Sequence, residues 1–166
     1  MKQLMKLAMI CFTVSLLQSC SKEDDSTPNT PNPNETKSYV AYVDGIKFQP
    51  SIANVYIDTN RDGSLLVKQL IASVDGKSIK IQFLGEMPGV YPLTGGNTGY
   101  ENASYNVGAD SNWVCTSSAG GGNLVITKYD RTNNKVSGTF NFKGKIFGTS
   151  NIKNITEGVF FDVEIR

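Results

Sequence analysis

"VSGTFNF", residues 136–142, sets Val136, Gly138, Phe140 and Phe142 on one side of an extended chain and Ser137, Thr139 and Asn141 on the other. Successive side chains of a strand point to opposite faces, so a period of two is what a half-buried β-strand requires. The same rhythm recurs elsewhere. Ile79, Ile81 and Phe83 alternate with Lys80 and Gln82, and Val159, Phe161, Val163 and Ile165 alternate with Phe160, Asp162 and Glu164. Further strands are expected at 39–43, 46–49, 53–57, 65–74, 90–93, 100–107, 112–116 and 123–129.

Residues that tolerate positive φ punctuate these runs, at Asp44-Gly45, Asp58 to Ser64, Asp75-Gly76, Gly95-Gly96, Gly120 to Asn123 and Asn133-Asn134. Two similar segments, "VDGIKF" at 43–48 and "VDGKSI" at 74–79, read as recurring hairpin chemistry. No segment of the globular part carries a 3.6-residue period. Roughly eight to eleven short strands without helical crossovers predict one antiparallel all-β domain over 38–166, either a β-sandwich or a small closed barrel.

Composition narrows the function classes. A chain of 166 residues with 39% hydrophobic and 19% charged residues suits one ordinary globular domain. The net charge of +1 and the lack of a basic cluster leave no electrostatic footprint for nucleic acid. Histidine is absent, which removes the commonest general base and the commonest transition-metal ligand. No catalytic motif of the hydrolase, metalloprotease or phosphate-cradling kind occurs, so neither an enzyme nor a cofactor is expected.

The N-terminus gives an address. Lys2 and Lys6 precede an apolar stretch from Leu7 to Leu17, too short for a membrane-spanning helix, which needs about 20 apolar residues. It fits a secretory signal over residues 1–19. Leu17-Gln18-Ser19-Cys20 resembles a bacterial lipobox, which implies a lipid thioether on Cys20 and Cys20 as the mature N-terminus. The following Ser21-Lys22-Glu23-Asp24-Asp25 looks like the export signal of Bacteroidetes-type surface lipoproteins, and so implies display on the outer membrane facing the medium. Read on its residues alone, the run is an acidic, solvated spacer. Residues 20–37 therefore form the anchor and a linker whose Pro28, Pro31 and Pro33 among Asn and Thr give it nothing to bury. Fully extended, residues 21–37 reach at most about 55–60 Å.

"GGNLVITKYD", "NNKVSGTFNF" and "ITEGVFFDV", together with "YVDGIKF" nearer the start, are similar to a domain of unknown function found in Bacteroidetes lipoproteins. The resemblance spans roughly residues 40–166 and implies an all-β lipoprotein domain without an assigned activity. Membrane attachment through Cys20 is the partner that the lipobox resemblance implies, with a glycan or protein ligand left open.

Three groups of residues are candidates for chemistry. Asp58-Thr59-Asn60-Arg61-Asp62-Gly63 matches the first half of a calcium loop, with Asp58, Asn60 and Asp62 as oxygen ligands. Gln69 stands where the bidentate Glu belongs, and a hairpin turn is the alternative. The polar stretch 94–122 holds Tyr100, Tyr105 and Trp113, which would stack on sugar rings if exposed or pack in the core if not. Cys115, the one cysteine left after Cys11 and Cys20, reads as a small buried hydrophobe. Two functions follow as expectations: a displayed binding or adhesion module for glycan, protein or matrix, or a lipocalin-like barrel around an apolar ligand.

Overall fold

The strand centred on "VSGTFNF" is the one from which the rest of the sheet is hung. In the computed structural model, which describes residues 38–95 and 100–166, it runs from Lys135 to Lys145. Among the described residues eleven strands form: β1 (Ser38–Val43), β2 (Ile46–Phe48), β3 (Val55–Asp62), β4 (Leu65–Val74), β5 (Lys77–Leu84) and β6 (Gly89–Leu93) come first. They are followed by β7 (Asn102–Val107), β8 (Ser111–Cys115), β9 (Gly122–Asp130), β10 (Lys135–Lys145) and β11 (Ile152–Glu164). The signal segment, Cys20 and the linker lie outside the described residues.

All ladders are antiparallel and belong to one sheet, in the order β2-β1-β11-β10-β8-β7-β5-β4-β3, with β6 and β9 forming a branch on β10. One edge of β10 meets β11 throughout. Its other edge meets β9 from Lys135 to Phe142 and then β8 at Gly144 and Lys145. The sheet therefore divides at β10 into two limbs and curls into a half-barrel. Its far end touches back where Ile57 bridges Ile165 and the Arg166 amide donates to the Ile57 carbonyl at 2.8 Å.

The core fills the space between the limbs. Val136, Phe140 and Phe142 of β10 meet Ile79, Ile81 and Phe83 of β5, Leu124 and Ile126 of β9, and Phe160 of β11 in a single buried cluster. Both Asp-Gly pairs are tight turns as expected: Asp44 and Gly45 have φ of 50° and 79°, Asp75 and Gly76 of 50° and 70°. Positive φ at both central residues matches the twist of a two-residue hairpin.

Two expectations are corrected. The strict alternation over 159–165 is broken, because Ile155, Gly158, Phe160 and Val163 are the buried residues of β11. Register shifts opposite Val136/Gly138 and Phe140/Phe142 insert one extra residue each into β11, and Glu157 and Asp162 take positive φ there. Each bulge flips the strand's phase. At the second, the Ser137 hydroxyl accepts the Asp162 amide at 3.0 Å. Gly158 is needed because a Cβ there would lie 2.5 Å from the Phe140 ring. The second correction concerns Asp58 to Asp62, expected as a turn. These residues extend β3 and pair with β4 residue by residue, which leaves only Gly63 and Ser64 to turn the chain.

Tyr39 packs tilted against Phe140 and edge-on to Phe48, and its hydroxyl is buried without a hydrogen-bond partner among the described residues. Burial lifts that phenol's pKa far above its ordinary value. Removing a desolvated, unpaired hydroxyl is favourable by roughly 1 kcal/mol. Tyr39→Phe is expected to raise the unfolding free energy by that amount, and so the urea midpoint by roughly 0.3–1 M, whereas a lowered midpoint would show that the hydroxyl has a solvent partner in solution.

Candidate binding site

The calcium half-motif does not assemble. Asp58, Asn60 and Asp62 sit at alternate positions of an extended strand, so their Cα atoms are about 6.8 Å apart at each step. A calcium loop must curl its alternate oxygens around one point; a strand spreads them in a row. Asp62 instead accepts a hydrogen bond from the Tyr100 hydroxyl at 2.9 Å. Among the described residues no cluster of three or more Asp, Glu, Cys or His side chains could hold a metal ion.

The three aromatic candidates are not brought together on the surface. Tyr105 and Trp113 are 6% and 7% exposed, with ring centroids 5.6 Å apart, and belong to the core. They face inward because β7 and β8 pair them directly across the ladder. The Trp113 indole N–H reaches Asn151 Oδ1 at 3.2 Å, so its polar tip is satisfied without a ligand. Tyr100 is half-buried beside Asp62. The Cys115 thiol is buried, donates to the Leu93 carbonyl at 3.1 Å, and has its pKa pushed up to about 11 by desolvation. A thiol in that state is a packing group.

Two features escape a reading of the sequence. The first is Lys68, only 2% exposed and in phase with Leu70 and Ala72 on the core-facing side of β4. Its ammonium lies 3.0 Å from Glu86 Oε1 and 5.8 Å from the Tyr129 ring centre. Arg131 approaches the other oxygen of Glu86 at 3.5 Å and donates to the Glu86 carbonyl at 3.2 Å. The cluster ties β4, the β5–β6 connection and the β9–β10 turn together. The available signal was a lysine at a position whose period-two neighbours are apolar.

The second is the exposed face of β10. Phe147, in the β10–β11 turn, is 100% exposed. It stands at the rim of a half-open hollow of about 530 Å³ lined by Asn112, Val114, Thr116, Lys145 and Ile146. A second hollow, of about 510 Å³, lies on the same outward face, where Asn141 and Lys143 of β10 meet Asn123 of β9 and Asn154 and Thr156 of β11. Asn123 is directly opposite Asn141, and Asn154 opposite Lys143. Gly120 and Gly121 also line it. Amides donate and accept at once, hydroxyls of Thr116 and Ser118 do the same, and an unpacked aromatic ring offers a stacking surface.

Lys68 and Arg131 hold the Glu86 carboxyl below its ordinary value of 4.5, the hydrogen bond from Lys68 being the largest cause. A carboxylate with a depressed folded pKa stabilises the fold above its unfolded value, and that contribution is lost as pH falls through the folded value. Glu86→Gln is expected to flatten part of the fall in unfolding midpoint on acidification below pH 4.5. An unchanged acid profile would mean that Lys68 is accommodated without this partner.

The family described as "Domain of unknown function (DUF6252)" matches residues 36–164. No curated protein and no solved structure matches the chain. Among the described residues, no helix is long and apolar enough to cross a membrane.

Proposed function

Because the chain belongs to the DUF6252 family, whose description assigns no activity, we propose its role from its physical features: a non-catalytic binding module, lipid-anchored at Cys20 and displayed on the outer membrane. The observation that carries the reading is Phe147, a large aromatic side chain left wholly in solvent beside a mostly apolar hollow edged by Asn112, Thr116 and Lys145. Desolvating such a ring is favourable only when something covers it, and aromatic residues are enriched where partners bind.

The geometry of attachment supports the same reading. Ser38, where the linker ends, pairs with Phe161 of β11, whereas the β10–β11 turn lies beyond Ile152 at the other end of that strand. Those two levels are about 26 Å apart, measured along the regular partner strand β10. Ser38 thus stands at one end of the domain and Phe147 projects from the other. The anchor itself rests on the Leu17-Gln18-Ser19-Cys20 site and on the acidic run after it. A glycan or a protein fits the hollow. The alternative, an apolar ligand inside a lipocalin-like barrel, has less support, since Phe83, Phe142, Phe160 and Leu124 occupy the space between the limbs.

Two measurements test this. Cys20→Ser is expected to abolish metabolic labelling with palmitate and to release the protein from the membrane fraction; retention of both would overturn the anchor. Phe147→Ala is expected to lower binding in a glycan or matrix array at least fivefold while leaving the melting temperature unchanged, as suits a residue that packs against nothing. Undiminished binding would place the contact elsewhere.

A further inference from the structure

The two hollows are consecutive along one strand. Asn141, Lys143 and Lys145 point outward from β10 at alternate positions, the first two into one hollow and the third into the other. They cover about 13 Å of strand, with Phe147 just beyond. The turn at Ser117–Gly120 separates the hollows only partly. The Lys143 stem lies across it so closely that a Cβ on Gly120 would come within 3.1 Å of Lys143 Cδ.

Some cations of the outer face are held by carboxylates, while others, Lys77 and Lys80 of β5 among them, are in no ion pair among the described residues. Lys128 and Lys135 share Asp162 at 3.6 Å and 3.7 Å, and Lys153 holds Asp44 at 2.7 Å. Lys143 and Lys145 have no carboxylate within ion-pair distance among the described residues, although Glu157 and Asp110 line the outer ends of the same hollows. Two cations outside any ion pair, each with one carboxylate farther along its hollow, therefore stand between the amides of Asn123, Asn141 and Asn154 and the ring of Phe147. We propose that the β10 strip is one extended cleft that receives an acidic polysaccharide, its anionic groups on Lys143 and Lys145, its hydroxyls on the amides and one sugar face on Phe147. This rests on the binding-module reading and specifies its ligand class. Carboxylated and sulfated chains share the required chemistry; a neutral chain leaves both lysines unanswered.

The test uses the detergent-solubilised full chain in affinity gel electrophoresis against polygalacturonate, dextran sulfate and neutral dextran. Retardation is expected with one or both anionic polymers, weakening as salt is raised, and not with dextran. Lys143→Gln/Lys145→Gln is expected to weaken it about fivefold or more. Lys77→Gln/Lys80→Gln on β5 carries the same charge change away from the cleft and is expected to leave it intact. Equal losses from the two double variants would reduce the effect to net charge and overturn the proposal. Binding of neutral dextran that is abolished by Phe147→Ala but untouched by Lys143→Gln/Lys145→Gln would overturn the acidic ligand while leaving the binding module standing. No retardation by any polymer would overturn the proposal. Melting curves of each variant separate these outcomes from misfolding.

Discussion

One strand has to serve two halves of a sheet, and the rest of the structure follows from how β10 meets that demand. Its even-numbered residues, from Val136 to Gly144, are buried, so its core face is continuous while its hydrogen-bonding edge changes partner from β9 to β8. A strand whose inward residues were all bulky would not let two limbs converge on it. Gly138 and Gly144 supply the gaps: a Cβ on the first would meet the Val125 carbonyl at 2.2 Å, and one on the second the Trp113 carbonyl at 2.8 Å. The limbs can then close over Phe140 and Phe142, and burial of those rings is the dominant favourable term.

Much of this was legible. The all-β class, the strand at 136–142 and both Asp-Gly hairpins follow from period two and from the φ preferences of short polar residues. What was hidden is whatever depends on a partner strand. The bulges at Glu157 and Asp162 are set by where β11 lies against β10, and Ser137, an outward residue by its own alternation, is buried because it accepts the Asp162 amide. The pairing across the branch, with β6 leaving its neighbours in sequence to join β9, has no local cue either.

The candidate site was less legible, for a related reason. Motifs such as that at Asp58 are written for a loop, and a strand's geometry annuls them whatever the residue types. Aromatic residues looked alike in the chain, yet pairing sends Tyr105 and Trp113 inward and the hairpin turn leaves Phe147 outside. Lys68 shows the converse. A cation in an apolar register is held because Glu86 and the Tyr129 ring come to it from other elements. Breaking such a pair leaves an uncompensated buried charge, which is why residues distant in sequence must arrive together.

A domain whose concave side is filled has only its convex face and its turns left for recognition. On that face some cations are already answered by neighbouring carboxylates, as Lys153 is by Asp44, which also accepts the Asn154 amide. Groups that satisfy one another have little to offer a partner. Among the cations that no carboxylate holds, Lys143 and Lys145 stand beside two hollows and an exposed ring, on a strand paired along both edges and therefore held still. A recognition surface on so rigid a support loses little conformational entropy when occupied, and that economy favours an extended ligand lying along the strand over one that must be enclosed.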